Sequence, residues 1–185
     1  MHRPRPFLLL LVLTFGTHLA AQTQTTCKAD DLPSGAKLLV SKTFPGWRFK
    51  GTSDLVDYDR ELSAKAHPKE CPGIAVGHFE SPDQTAYGLL LVPKSGAETG
   101  YKIVVLSKSD TAGHYSIRVL DHAEGQAGAG SGLVISKVPS GKYSGFDSTQ
   151  SIRVRLDAVE AEWLEKSSVL YFWKNGKYRT LQTSN

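Results

Sequence analysis

Cysteine is nearly absent from this chain of 185 residues, with two examples at Cys27 and Cys71. They do not form a Cys-x-x-Cys motif, which excludes a thioredoxin-type redox centre. There is no Asn-x-Ser/Thr acceptor, so nothing marks a glycosylated surface. His-Glu-x-x-His is also missing, and His67, His78, His114 and His122 each stand alone in sequence, at no metal-ligand spacing. A zinc site would have to be assembled in space. No blade-length repeat is visible, which excludes a β-propeller. No apolar run reaches the roughly 20 residues that a helix needs to cross a bilayer. The excess of positive charge is small as well. Of 22 basic and 18 acidic side chains, Arg3 and Arg5 belong to the leader. Without them 20 remain against 18, and no electrostatic footprint for nucleic acid survives.

The leader itself is the clearest positive signal. Arg3 and Arg5 precede the apolar run Phe7-Leu8-Leu9-Leu10-Leu11-Val12-Leu13, and small residues follow at Ala20 and Ala21. That order matches the three regions of a secretory signal peptide, residues 1–21, with cleavage expected near Ala21. Leu19, three residues before that site, is less favourable than a small residue and lets the bond shift by one or two. Gln24-Thr25-Thr26 before Cys27 is not a lipobox, so no lipid anchor is expected. The destination is the periplasm or the exterior. Export places both cysteines where disulfides persist, and a Cys27–Cys71 bridge is expected. The loop it closes would contribute on the order of 4 kcal/mol. Two separate buried thiols are the alternative. Residues 22–185 suit a single domain that buries roughly 70% of its unfolded surface.

Helix-compatible spacing of Leu38, Leu39 and Phe44 after Ser34, stopped by Pro45-Gly46, predicts a helix over 35–43 with Ser34 as its N-cap. Trp47 and Phe49 alternate with Arg48 and Lys50, as in a short strand. Leu55, Tyr58, Leu62 and Ala66 share one face of a second expected helix, 55–66, which ends before Pro68. From Ile74 onward the rhythm becomes that of strands, expected at 74–79, 86–92, 101–107, 114–120, 133–137, 151–156, 158–164, 168–174 and 177–182. The glycine-rich stretch 124–132 reads as a flexible loop inside the domain.

Two hairpins can be taken to register. A turn at Asp157-Ala158 would set Leu156 opposite Val159, Val154 opposite Ala161 and Ile152 opposite Trp163. It would also pair Arg155 with Glu160 and Arg153 with Glu162, so one face is apolar and the other charge-matched. Asp-Ala is a poor primed-turn dipeptide, and a slipped register is the alternative. Asn175-Gly176 is a strong two-residue turn signal. It sets Trp173 opposite Tyr178, Tyr171 opposite Thr180 and Leu170 opposite Leu181.

Tyr171, Trp173 and Tyr178 therefore share a face and could stack on a sugar ring or an aliphatic ligand. Because Leu170, Phe172 and Leu181 make the other face apolar too, a sheet covered on both sides is the simpler reading. Ser34-Gly35-Ala36-Lys37 and Lys94-Ser95-Gly96 echo elements of penicillin-recognising enzymes, but the chain is too short for that fold. Ala129 breaks the Gly-x-Ser-x-Gly pattern in Gly-Ala-Gly-Ser-Gly, so there is no nucleophile elbow. Asp57, Asp59 and Glu61 diverge around their helix and form a solvated face.

Gly77-His78-Phe79-Glu80-Ser81-Pro82-Asp83-Gln84-Thr85-Ala86-Tyr87-Gly88-Leu89-Leu90-Leu91 resembles the FG-GAP/VCBS-type segment of many exported bacterial proteins. The ending, Val169 to Tyr178, and Phe44-Pro45-Gly46-Trp47 resemble uncharacterised exported proteins that carry one such segment. That resemblance implies a calcium loop of alternating oxygen ligands. Aligned without gaps, the acidic positions are His78, Glu80, Pro82 and Ala86, and only Glu80 offers a carboxylate, with Asp83 nearby. The loop is expected to keep its hairpin geometry without strong calcium binding.

The expected fold is α+β: two N-terminal helices packed on a mostly antiparallel β-sheet, with one disulfide. The expected function is a non-catalytic, exported binding or accessory module of the bacterial envelope. It would be monomeric, without cofactor or metal, and would recognise an envelope protein or glycan through Tyr171, Trp173, Tyr178, His78 and Glu80. One alternative is a small periplasmic hydrolase using His78 with Glu80 or Asp83. Another is a structural subunit of an envelope assembly.

Overall fold

The computed structural model describes residues 32–96, 99–109, 114–126, 128, 130–149 and 151–185. The expected signal peptide and Cys27 lie outside these residues. The expected Cys27–Cys71 bridge lies outside them too, since Cys71 is described and Cys27 is not.

Two helices flank a short strand at the start: α1, Ser34–Thr43; β1, Trp47–Phe49; and α2, Asp57–Ala66. Ten strands follow: β2 Ile74–Gly77, β3 Ala86–Pro93, β4 Gly100–Lys108, β5 Tyr115–Glu124, β6 Leu133–Val138, β7 Gly141–Ser144, β8 Ser151–Val154, β9 Ala158–Trp163, β10 Ser167–Lys174 and β11 Lys177–Ser184. The architecture is α+β and mostly antiparallel sheet, as the sequence suggests. The single large sheet of that expectation is divided, however. One five-stranded sheet runs β1-β3-β4-β5, with β2 also paired to β3; a four-stranded sheet runs β11-β10-β9-β6; β7 and β8 pair with each other alone.

The division follows from side-chain alternation. In β3, Leu89 and Leu91 turn towards α1 while Leu90 turns the other way, and all three are fully buried. In β4, Val104 and Leu106 join the α1 side, and Ile103 and Val105 join Leu90. The second sheet meets them with Leu133, Ile135, Val159, Ala161 and Tyr171. The main core is thus a layer between two facing sheets. At Gly88 the two sheets come close together, since a Cβ there would lie 2.9 Å from Cγ2 of Val159.

α1 covers the far face of the first sheet with Ala36 and Val40, one turn apart. Leu39 and Phe44 pack against the same cluster as expected, whereas Leu38 turns out to be 70% exposed. Ser34 is the first helical residue, preceded by Pro33 at the cap with no side-chain cap bond. α2 sits elsewhere, against the outer face of the second sheet, where Leu62 and Leu55 meet Val134 and Leu164. Tyr58 and Ala66 face solvent, and the Tyr58 hydroxyl donates to Glu165 at 2.7 Å. The same outer face receives the β7–β8 hairpin, whose Tyr143, Ile152 and Val154 pack on Leu170 and Phe172.

The expected hairpin at Asp157-Ala158 does not form. β8 pairs with β7, matching Tyr143 with Ile152 and Lys142 with Arg153. β9 lies between β6 and β10, where Ala161 faces Ile135 and Val169. Val154 and Ala158 both bury on the outer face, but in different sheets, so the chain crosses at Asp157 instead of turning back. The Asn175-Gly176 hairpin forms in the expected register, with Trp173 opposite Tyr178 and Leu170 opposite Leu181. Asn175 and Gly176 take φ of 53° and 77°, as a primed turn requires.

Lys50 docks the glycine-rich loop. It is 2% exposed, and its Nζ donates to the Gly130 carbonyl at 2.6 Å. Burial pushes the amine down to about 8, against the partial opposition of Asp54 and Asp59.

Candidate functional site

The exposed edge strands β5 and β11 lie at the same side of the sandwich, and a cleft of about 460 Å³ opens between them. β5 supplies Arg118 and Leu120 to its walls; β10 supplies Tyr171 and Trp173; Lys177 and Tyr178 come from β11. Alternation on the final hairpin places Tyr171, Trp173 and Tyr178 on the inward face, so the cleft is an unfilled margin of the main core.

Arg118 joins the cleft's parts. Its Nε donates to Oε1 of Glu80 at 3.0 Å, and its guanidinium carbon lies 5.0 Å from the centre of the Trp173 ring. Trp173 meets Tyr178 edge to face, with ring centres 5.0 Å apart and planes at 68°. Such contacts contribute about 0.5–1 kcal/mol each at a partly exposed site. Glu80 is the more sheltered partner, at 14% side-chain exposure against 48% for Arg118. The Tyr178 hydroxyl is buried beside Glu80 without the geometry of a hydrogen bond. Burial first, and the Glu80 charge second, raise its pKa well above the usual tyrosine value.

At the floor, Asp121 links the two sheets. Its Oδ2 accepts the hydroxyls of Tyr101 and Tyr171, each at 3.0 Å. Asp121 reaches this position through a bulge in β5: Ile103 pairs with Asp121 and Val104 with Val119, leaving Leu120 as the extra residue. Burial, reinforced by the Asp121 charge, pushes the Tyr101 hydroxyl up to about 12 and raises that of Tyr171 further.

Four of the five residues singled out from the sequence therefore meet here: Tyr171, Trp173, Tyr178 and Glu80. They do not form a flat platform. Tyr171 is 4% exposed and committed to Asp121, while Trp173 and Tyr178 are partly buried. The fifth, His78, turns away. Its backbone N–H donates to Oδ2 of Asp157 at 2.9 Å, and its Nδ1 lies 3.6 Å from the same oxygen. The carboxylate beside His78 is thus Asp157, not Glu80 or Asp83.

Loop 78–85 does connect a regular hairpin, with Gly77 opposite Ala86. Among the described residues no group of three or more His, Cys, Asp or Glu side chains is placed to hold a metal ion. Arg118 and Asp121 are the site residues that sequence reasoning missed. The one signal was a charged residue on each side of the apolar run Val119-Leu120 in an otherwise sheet-like segment.

A second polar cluster lies on the outer face of the second sheet. His67 Nε2 and Oε2 of Glu162 are 2.8 Å apart, and the hydrogen bond to Glu162 raises the histidine pKa against the cost of burial. Neighbouring Glu160 is raised above the usual carboxylate value by burial and by the Glu162 charge.

Among the described residues no helix is long and apolar enough to cross a membrane. Neither a family model, nor a curated protein, nor a solved structure matches this chain.

Proposed function

We propose that this is an exported, non-catalytic binding module of the bacterial envelope that holds a glycan in the cleft between β5 and the β10–β11 hairpin. One observation carries the reading: Arg118 spans a sheltered carboxylate, Glu80, and an indole ring, Trp173, at the mouth of an open cleft. A sugar ring has an apolar C–H face and a rim of paired hydroxyls. Indole suits the first, and a guanidinium–carboxylate pair suits the second, since both groups are planar and bidentate. Concave sites with apolar walls and a few polar groups are the usual form of small-ligand sites.

In this reading the β2–β3 loop, the part that resembles FG-GAP/VCBS segments, serves as a wall that delivers Glu80, not as a calcium loop. Export, cleavage near Ala21, a Cys27–Cys71 bridge and a monomeric state belong to the same proposal.

The test is a fluorescence titration of the mature protein with chitooligosaccharides, soluble peptidoglycan fragments and dextran oligomers. At least one is expected to change tryptophan emission saturably. The change should vanish in Trp173→Ala and Arg118→Ala and persist in Trp47→Phe. No saturable change with any of the three, or unaltered binding by Trp173→Ala, would overturn the proposal.

A further inference from the structure

A second site is suggested on the opposite side of the molecule's outer hairpin. β7 and β8 are hydrogen-bonded to neither large sheet and are held by Tyr143, Ile152 and Val154 on the outer face of the second one. The other face of the hairpin carries Lys142 directly across from Arg153, and Arg155 follows two residues on. All three are exposed. They line a groove of about 790 Å³ together with Ser140 and Ser151. No carboxylate lies within ion-pair distance of any of them among the described residues. Some other surface cations are neutralised, Arg48 by Asp54, Arg60 by Asp57, Lys102 by Glu124 and Arg118 by Glu80, whereas Lys174 and Lys177, which face each other on β10 and β11, are in no ion pair among the described residues.

Like charges directly opposite on a two-stranded ladder destabilise it. The pair therefore weakens the hairpin unless an anion sits between the two cations. Directly paired side chains have Cβ atoms about 5 Å apart, close enough for an ammonium and a guanidinium to hold one oxyanion. Arg155, just beyond the end of β8, lies at most about 7 Å further along the chain, within the spacing of a second charged group. Ser140 and Ser151 add hydroxyl donors to the same groove.

We propose that the β7–β8 groove binds a saccharide carrying at least two sulfate or phosphate groups. The groove's concavity favours a chain over a flat lipid surface, and its one aliphatic lining residue, Val154, is buried and offers no anchor for insertion.

The mature protein would be titrated by calorimetry with a sulfated heparin hexasaccharide and with its desulfated counterpart. In parallel it would be sedimented with phosphatidylglycerol vesicles. The sulfated saccharide is expected to bind, to weaken as salt rises, and to lose about tenfold or more in affinity in Arg153→Gln. It should raise the melting temperature of the native protein but not that of Lys142→Gln/Arg153→Gln/Arg155→Gln, a variant of exposed side chains. Equal binding of the desulfated saccharide, equal binding by the triple variant, or capture by vesicles without saccharide binding would each overturn the assignment.

Discussion

Asp121 on β5 and Tyr171 on β10 join the two facing sheets through one hydrogen bond of 3.0 Å, and the same carboxylate oxygen also accepts Tyr101 from β4. Both tyrosines are nearly fully buried. Removing the acceptor leaves two sheltered hydroxyls without a partner, at about 1–3 kcal/mol for each. Asp121→Ala is expected to lower unfolding stability by about 2–4 kcal/mol, measured by urea denaturation. Tyr171→Phe, which removes one donor and orphans nothing, should lose about 1 kcal/mol. Equal losses in the two variants would refute the shared-acceptor account.

Stability should fall as pH rises from mildly acidic towards neutral. His67 has a raised pKa in the folded state, so its contribution is complete below 6.5 and is lost as pH rises through the folded value. Glu160 is raised above 4.5 in the folded state, so the unfolded chain gives up its proton first and stability again declines with rising pH. Lys50 acts in the opposite sense at higher pH. Its folded value near 8 lies below the ordinary 10.5, so stability recovers as pH climbs between the two. Thermal melts across pH 5–10 should show a minimum near the middle of that range. His67→Gln should flatten the acidic limb and Lys50→Met the alkaline one. A single monotonic profile, unaffected by either substitution, would count against both assignments.

Gly88 and Val159 set the distance between the sheets. An added methyl at Gly88 would come within 2.9 Å of Val159 Cγ2, inside contact distance. Gly88→Ala is expected to destabilise by about 1–3 kcal/mol through overpacking. The double variant Gly88→Ala/Val159→Ala should recover part of that loss, giving a favourable coupling in a double-mutant cycle. Additive effects would show that the strain is relieved elsewhere.

Much of the local structure is legible in the chain. Asn175-Gly176 dictates a tight turn because only residues tolerant of positive φ fit it, and its register then follows by counting. Leu89-Leu90-Leu91 marks a strand covered on both faces. The β7 strand was not anticipated, since Gly141-Lys142-Tyr143-Ser144 offers one large apolar residue and no alternation to read. The Asp157 turn failed for a related reason. Charge matching of Arg153 with Glu162 and Arg155 with Glu160 is satisfying locally, but burying Ala161 against Ile135 of β6 is worth more than an exposed ion pair.

By itself, the sequence determined both helices and every strand but β7, the final hairpin's register, and the shared face of Tyr171, Trp173 and Tyr178. These rest on backbone sterics and period-two alternation, which act over a few residues. Tertiary structure decided that the strands split into two facing sheets, and that Glu80 meets Arg118 while His78 meets Asp157. It also left Lys142 and Arg153 side by side without a carboxylate. Those outcomes depend on which apolar faces bury one another across long separations, a competition that local pattern does not encode.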